Sequence, residues 1–492
     1  GQEVPLAFLP SHRSNLDRLS LQYLKWENDL PPNHTAGGIN MNFFPLGPLV
    51  RRTGVFFIRR SFKDNALYKF VLKSYLDYLI ENRFPLEWYL EGGRSRSGKL
   101  LPPRLGLLSY TVDSWRRGKA EDLLLIPVSI AYDQIQDLGS YASEARGAGK
   151  EKESVGWALS AIRSLRRRYG NIHVRFGEPV SVAKAMTGTE DDENSTDLAK
   201  LGFQVMYRIS QVTPITPAAV VAIALLEAEG MARSLSDLAT ACGELDEFIE
   251  QHRLPTTEHL ALESPSEVAR VLSLLAEHGN VSSFSGIEQV YYLKPEQALR
   301  ASYYRNVVVH HFILRGIAEL ALTGLGSGAL SKSELAFWDR VAALRDLLKF
   351  EFFFPEKAAF RDQVTADLDQ SVPGWRRLTP ATLLARLRPR IASWAVVPFL
   401  EAYLVIADEL AALDDDDTFD EKLFVAACLR RGEEYRLKGQ ISPASVSTIH
   451  FRQALALARN RRLIDPRIDV ALARSDFARE VRAVIELAAR LP

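Results

Sequence analysis

A histidine with an aspartate five residues on stands near the start of this chain: His12 and Asp17, in the run Leu9-Pro10-Ser11-His12-Arg13-Ser14-Asn15-Leu16-Asp17. A carboxylate that binds one nitrogen of an imidazole leaves the other as a base. That is a Ser-His-Asp arrangement without its serine, and a substrate hydroxyl can take the serine's place. The spacing fits a helix-capping pair equally well, because five residues is a loose constraint. Two arginine clusters follow. Arg59 and Arg60 close the run Gly54-Val55-Phe56-Phe57-Ile58. Arg94 and Arg96 lie in Glu91-Gly92-Gly93-Arg94-Ser95-Arg96-Ser97-Gly98-Lys99. Guanidinium forks match phosphate oxygens in bidentate geometry. Gly92 and Gly93 let a ligand approach bare N–H groups. Arg94 and Arg96, two apart, face one side if the loop is extended. Glu91 cannot bind phosphate; it suits holding an arginine or bonding acceptor hydroxyls. Lys99, Arg146 and Lys150 are further anion contacts. The order of residues is not that of a P-loop, and a solvated basic turn competes with the phosphate reading. A base beside a phosphate site suits taking the proton from a hydroxyl of a phosphorylated alcohol.

The elements that must hold these residues read as an α/β domain. Residues 4–10 form a short buried strand. Ser11 or Ser14 then caps a helix through Arg18, Leu19, Leu21, Tyr23 and Leu24, which puts His12 at the strand-to-helix junction. Residues 31–54, rich in Pro, Gly and Asn, are a loop with a short apolar helix or turn inside it. Strands follow at 54–58 and 86–90, with a helix over 67–79 between them. The fourth run, Ile126-Pro127-Val128-Ser129-Ile130-Ala131-Tyr132-Asp133, continues an apolar stretch from Leu123 and reads as a central strand of a largely parallel sheet. Its Pro127 marks a bulge or a special contact. Residues 139–156 are a loop. Residues 157–169 form a basic helix whose Arg163, Arg166, Arg167 and Arg168 suit acidic head groups or plain solvent. A strand at 171–176 and a loop over 187–196 complete the domain.

After Pro214 and Pro217 strand signals nearly vanish. Helical spacing dominates residues 217–229, 232–252, 264–278, 294–322, 332–351, 379–412, 418–435 and 448–491. We therefore expect a catalytic α/β domain over 1–212 and an all-helical C-terminal domain over 213–492. The acidic run Asp414 to Asp417 reads as a solvated linker. His310-His311 sits in an apolar stretch and suits packing better than metal ligation.

Length and composition set limits. At 492 residues the chain can fill two or three domains. Two cysteines, Cys242 and Cys428, exclude a disulfide framework and a cysteine-based metal site. Net charge is zero, but residues 1–180 hold 26 Lys+Arg against 18 Asp+Glu, a net of +8, and the remainder carries −8. A basic front half suits an anionic substrate or membrane surface, or nucleic acid. No run of 18 apolar residues occurs, so a span is not expected; the chain can still lie on a membrane. The first residue is Gly and chemistry begins at residue 12, so a further N-terminal region is expected before it.

Together, in this order and spacing, the four motifs resemble the glycerol-3-phosphate acyltransferases, closest to the bacterial membrane-associated branch. The resemblance covers residues 5 to about 180, with the stretches Ala36-Gly37-Gly38-Ile39-Asn40 and Arg146 to Ser154. It reaches more faintly to Thr213-Pro214-Ile215-Thr216-Pro217 and Tyr303-Tyr304-Arg305-Asn306. It implies a mixed sheet flanked by helices, and transfer of a fatty acyl group from acyl-CoA or acyl carrier protein to the sn-1 hydroxyl of glycerol 3-phosphate, giving lysophosphatidic acid. It implies His12 as base with Asp17, and acceptor binding by Arg59, Arg60, Glu91, Gly92, Gly93, Arg94, Ser95 and Arg96. Pro127 falls on the acyl-donor side. No metal and no bound organic cofactor are implied, and the place of action is the cytoplasmic face of a bacterial cell membrane, as a peripheral protein. Rival readings are a dihydroxyacetone-phosphate or lysophosphatidate acyltransferase, or an inactive membrane-bound scaffold, which the His12–Asp17 pair counts against. A nucleic-acid partner would show binding that falls steeply with salt; none is expected.

Overall fold

The computed structural model describes residues 3–39, 42, 46–59, 65–148, 170–186, 194–228, 230–257, 260–413, 419–465 and 469–491. Arg60, Lys150, the basic stretch 157–169 and the acidic run 414–417 lie outside the described residues. Two compact units account for the chain. The first comprises residues 1–95, 100–136 and 151–214; the second comprises 96–99, 137–150 and 215–492. The short segments 96–99 and 137–150 count with the helical unit.

The first unit is built on a seven-stranded sheet. Its strands are β1 (Leu6–Pro10), β2 (His34–Gly38), β3 (Val55–Ile58), β4 (Leu86–Glu87), β5 (Leu124–Tyr132), β6 (Ile172–Phe176) and β7 (Val180–Ser181). The order is β3-β2-β4-β1-β5-β6, with β7 also on β5. Strands β1 to β5 are parallel; β6 and β7 run antiparallel to β5. The connecting helices are α1 (Asp17–Glu27), α2 (Leu46–Arg52), α3 (Ala66–Glu81) and α4 (Leu105–Arg116). From β1 the chain crosses to β2, steps out to β3, returns to insert β4, and passes over to β5. Strand β1 is central, so Ala7, Phe8 and Leu9 are all buried, as an apolar run with helices on both faces requires.

Three local expectations change. Neither Ser11 nor Ser14 caps α1; Leu16 is its N-cap residue and makes no side-chain cap bond. Ser11 is instead committed to β5, where its Oγ accepts from the Ile130 N–H at 3.0 Å. Residues 34–38, expected within a loop, form β2, because parallel pairing with β3 and β4 needs only backbone groups. Pro127 makes no bulge. It pairs in register with Leu9, and its carbonyl accepts from the Gly177 N–H at 2.8 Å. It lies between the residues paired with β7 (124–125) and with β6 (128–132), so its missing N–H removes no ladder bond.

The second unit is helical among its described residues, apart from a small antiparallel sheet of Arg233–Ser234, Gln289–Tyr292 and Ser282–Ser285. The helix Pro217–Glu227, with Thr216 as cap and Pro217 at its first turn, buries every residue from Ala218 to Leu226. The helix Val397–Ala411 buries eleven residues and packs against Val470–Ala488, Thr448–Asn460 and Glu421–Leu437. A helix not expected from the sequence, Lys357–Ser371, buries only Phe360, Val364 and Leu368, a thin i, i+4, i+8 stripe among polar residues. No helix among the described residues is long and apolar enough to cross a membrane.

Candidate active site

Four motif segments leave the same edge of the first unit's sheet, since β1, β3, β4 and β5 are parallel and each motif follows or ends its strand. Ligands of open α/β sheets bind at that carboxyl edge. Residues Ser11 to Leu16 turn out of β1 into α1. The turn closes on Asp17, whose side chain is wholly buried. Its Oδ2 accepts from the N–H groups of Arg13 (2.6 Å) and Ser14 (2.9 Å) and lies 2.8 Å from His12 Nδ1. Its Oδ1 accepts from the Tyr132 hydroxyl at 2.5 Å. Strand β5 runs four residues past the point where Val128 pairs with Pro10, and that overhang carries Tyr132 to the carboxylate. A carboxylate accepts and does not donate, which assigns the shared proton to Nδ1 and leaves a lone pair on Nε2. The His12 side chain is 20% exposed, so the ring is within reach of a substrate.

Three further groups fix the histidine. Its ring stacks on Tyr89 at 4.1 Å and 26°. Its carbonyl accepts from the Ser95 N–H at 2.8 Å. Its own N–H donates to Glu91 Oε1 at 2.7 Å, while Glu91 Oε2 accepts from the Leu101 N–H at 2.8 Å. Glu91 is buried, and both its oxygens serve the backbone. It ties the His12 turn to the loop after β4. Burial raises its pKa, opposed by the Arg13 guanidinium and by the His12 and Leu101 N–H groups. The loop can turn here because Gly92 has φ of 67°, and a Cβ at this position would stand 2.7 Å from Arg104 Cγ.

Under α1 lies a second polar layer. Glu87 Oε2 accepts from Gln22 Nε2 and Asn33 Nδ2, both at 2.9 Å, and the Tyr89 hydroxyl reaches Oε1 at 3.4 Å. Burial raises the pKa of Glu87 against the pull of Asn33, Arg18, Gln22 and Lys25. Lys25, bonded to Asn33 and lying over the Phe8 ring, is lowered to about 8, chiefly by burial.

The arginines divide. Arg59 is exposed at the end of β3; its N–H donates to the Tyr68 hydroxyl at 3.1 Å, and its guanidinium lies 5.4 Å from that ring. Gly93 and Arg94 are half-buried in the first unit, and Ser95 is buried. Arg96 counts with the second unit, where its Nε pairs with Glu144 at 2.7 Å. Lys99 is no surface anion contact. It is buried, ion-paired with Glu351, and its Nζ lies over the rings of Phe399 (4.3 Å) and Phe352 (5.0 Å). Burial, with Arg305 nearby, pushes its pKa well down. Ser97 O accepts from Asn306 Nδ2 at 2.8 Å, and Gly98, with φ of 89°, sits against the Tyr303 carbonyl where a Cβ would not fit. Arg146 is exposed at the end of the helix Leu138–Ala145. The His310 and His311 rings lie against each other at 4.1 Å, tilted by 44°, and no group of three metal-binding side chains occurs among the described residues.

Sequence reasoning gave no role to Tyr132 or Tyr89. Tyr132 stands inside the fourth motif, and a polar-tipped ring ending an apolar central strand was the available signal. Nothing local marks Tyr89 as the partner of a residue 77 positions away.

Comparison with known proteins adds an independent line. Residues 2–131 match the acyltransferase family model, and residues 141–467 match the model of the glycerol-3-phosphate acyltransferase C-terminal region. A Mycobacterium tuberculosis protein named as a candidate acyltransferase, plsB1, is 36% identical over 518 residues, covering 99% of this chain and 82% of its own. A Mycobacterium bovis protein of the same name matches equally. The glycerol-3-phosphate acyltransferase of Pseudomonas fluorescens is 33% identical over 372 residues, covering 72% of this chain and 43% of its own.

Proposed function

From the premise that this chain belongs to the glycerol-3-phosphate acyltransferase family, we propose that it transfers a long-chain acyl group from acyl-CoA or acyl carrier protein to the sn-1 hydroxyl of glycerol 3-phosphate, giving lysophosphatidic acid. The observation that carries the reading is the His12–Asp17 pair, 2.8 Å apart, with the carboxylate buried and the imidazole partly exposed. His12 Nε2 takes the proton of the acceptor hydroxyl as its oxygen attacks the thioester carbonyl. The new C–O bond replaces the C–S bond, and the thiolate leaves and takes a proton. No motif holds a serine or cysteine nucleophile, so transfer is direct. Asp17 keeps the ring in one tautomer and offsets the charge that forms on it. Arg59, Arg60 and Arg94 hold the phosphate; Glu91 and Ser95 act through the backbone of His12. Acyl-CoA or acyl carrier protein enters as co-substrate, with no metal or resident cofactor. The place of action is a phospholipid surface at the cytoplasmic face of a bacterial membrane.

The test is thiol release from palmitoyl-CoA, with glycerol 3-phosphate, dihydroxyacetone phosphate and lysophosphatidate offered separately. Turnover is expected with glycerol 3-phosphate, and His12→Ala should lower it by about 10²–10⁴-fold. Turnover with another acceptor alone moves the chain to a sister activity. No turnover with any acceptor leaves the inactive scaffold, and turnover indifferent to His12→Ala ends the reading of His12 as the base.

A further inference from the structure

Helix α3 is apolar on two faces. One face, Leu72, Leu76, Leu79 and Ile80, is buried in the first unit. The other carries Leu67 (73% exposed), Phe70 (68%), Val71 (57%), Tyr75 (36%) and Tyr78 (56%). These positions, i, i+3, i+4, i+8 and i+11, form one continuous stripe on the outside of a helix. Single exposed apolar residues are ordinary; five large ones in a row on one face are not.

A second stripe exists and must be weighed against the first. Helix α1 exposes Leu19, Tyr23 and Trp26, and Leu30 follows it. The two stripes lie on opposite faces of the sheet. Arg18 reaches Thr35, Gln22 reaches Glu87 and Lys25 lies over Phe8, and these three strand residues share one face by register. Tyr75 of α3 packs on Phe56 at 5.3 Å, and Phe56 pairs with Ala36, on the alternate face. One flat surface therefore cannot serve both.

Charge decides between them. Around α3, residues 66–83 and 113–119 hold Lys69, Lys73, Arg83, Arg116, Arg117 and Lys119 against Asp77, Glu81 and Asp113, six cations to three carboxylates. The carboxylates are matched: Arg117 pairs with Asp77 at 2.5 Å, Lys119 with Glu81 at 3.3 Å and Lys73 with Asp113 at 3.7 Å. Around α1 the exposed charges are Glu27 and Asp29 with Arg51 and Arg52 of the neighbouring α2, two carboxylates to two cations, while Lys25 is buried and Arg18 turns inward. We propose that the outer face of α3 is the surface by which this protein lies on an anionic phospholipid bilayer, with its apolar stripe among the acyl chains and its basic rim at the head groups. Phenylalanine, tyrosine and leucine over a basic rim is the composition of an interfacial helix. The helix begins just after the carboxyl end of β3, so Leu67 and Phe70 stand at the sheet edge that carries His12. A long-chain donor or product held in a bilayer would meet the protein on that side. The inference rests on the acyl-transfer reading for its purpose and not for its test.

The test uses the full chain, free of detergent, sedimented with vesicles of phosphatidylcholine alone and of phosphatidylcholine with about a third phosphatidylglycerol. Binding is expected to favour the anionic vesicles and to weaken with salt. Phe70→Gln with Val71→Gln should lower partitioning by about tenfold or more. Leu19→Gln with Trp26→Gln should leave it unchanged. Equal binding by the α3 variant, or loss in the α1 variant instead, overturns the inference. So does a lipid-free dimer that the α3 variant converts to monomer, because the occupant of the face is then a second copy. If the α3 variant does not fold, hydrogen exchange on the unmodified chain decides: residues 66–81 should gain protection on anionic vesicles, and unchanged exchange there overturns it. Since no step requires turnover, a failure here is separate from a failure of His12→Ala to abolish acyl transfer.

Discussion

Asp17 and Glu351 are both carboxylates withdrawn from water, and they are satisfied in opposite ways. In the α/β unit, Asp17 is ringed by four donors: two backbone N–H groups, a tyrosine hydroxyl and the imidazole of His12. In the helical unit, Glu351 faces the ammonium of Lys99, which in turn lies over two phenylalanine rings. The first arrangement leaves its partner partly exposed and free to exchange a proton. The second buries both partners and leaves nothing for a substrate to touch. Buried charge therefore marks a site only where one member still meets solvent. Both residues beside these carboxylates, His12 and Lys99, belong to motif segments that look alike in the sequence, so only burial separates their roles.

The comparison can be broken most severely at Asp17. Asp17→Asn keeps an oxygen for the backbone donors and removes the charge behind the imidazole. We expect kcat to fall on the order of 10³–10⁴-fold with an unchanged thermal midpoint. A loss of less than tenfold would place Asp17 among the structural carboxylates, beside Glu351.

Lys99→Met is the converse experiment. It leaves Glu351 buried without its partner and should cost about 3–5 kcal/mol of stability, read from the urea transition of the full chain. Adding Glu351→Met should recover most of that loss, because the surroundings are already aromatic. If the double variant is as unstable as the single one, the pair is not the local unit described above.

A third carboxylate gives the smallest and most specific effect. Glu319, in the helix Ile313–Leu322, accepts from the N–H groups of Ile391 (2.9 Å) and Ala392 (2.8 Å) with Oε2, while its buried Oε1 has no hydrogen-bond partner. Burial raises its pKa from 4.5 to about 7 against the pull of Arg315 and the two N–H groups. A carboxyl raised in the folded state binds its proton more tightly there. Its contribution is fully present below the unfolded value and is lost as pH rises through the folded one. From the two values 4.5 and 7, the loss across that window is about 3 kcal/mol. Glu319→Gln retains the accepting oxygen and should flatten the pH dependence of urea stability between those values. An unchanged slope would mean that other groups set it.

Much of the architecture was legible because it rests on periodicity. The continuous apolar run through β5, the helical spacing after Pro217 and the junction holding His12 all follow from which side chains can be buried together. The strand β2 was not legible, since glycines pair through the backbone and leave no pattern in the side chains. The helix Lys357–Ser371 was missed for the opposite reason: three apolar residues suffice when a helix packs on only one edge. Within the motifs, residue type told which groups could act and not where they point. Glu91 had the chemistry to bind hydroxyls, and nothing in its type told that its two oxygens also accept from backbone N–H groups on either side of the loop. Lys99 had the charge to bind phosphate and is buried instead.

The amino-acid sequence by itself determined the reactive types and their order: a histidine and an aspartate five residues apart, arginines at the ends of short apolar strands, and a helical remainder whose two cysteines supply no disulfide framework. Those are local properties, set by spacing along the chain and by the apolar pattern. Only the tertiary structure decided that Tyr132 closes over Asp17, that Tyr89 backs His12, that Pro127 costs its strand nothing, and that Arg96 and Lys99 pair inward with glutamates. Each of these depends on contacts between residues tens to hundreds of positions apart. Whether a charged side chain faces solvent or a partner is settled by the packing around it, which no local pattern encodes.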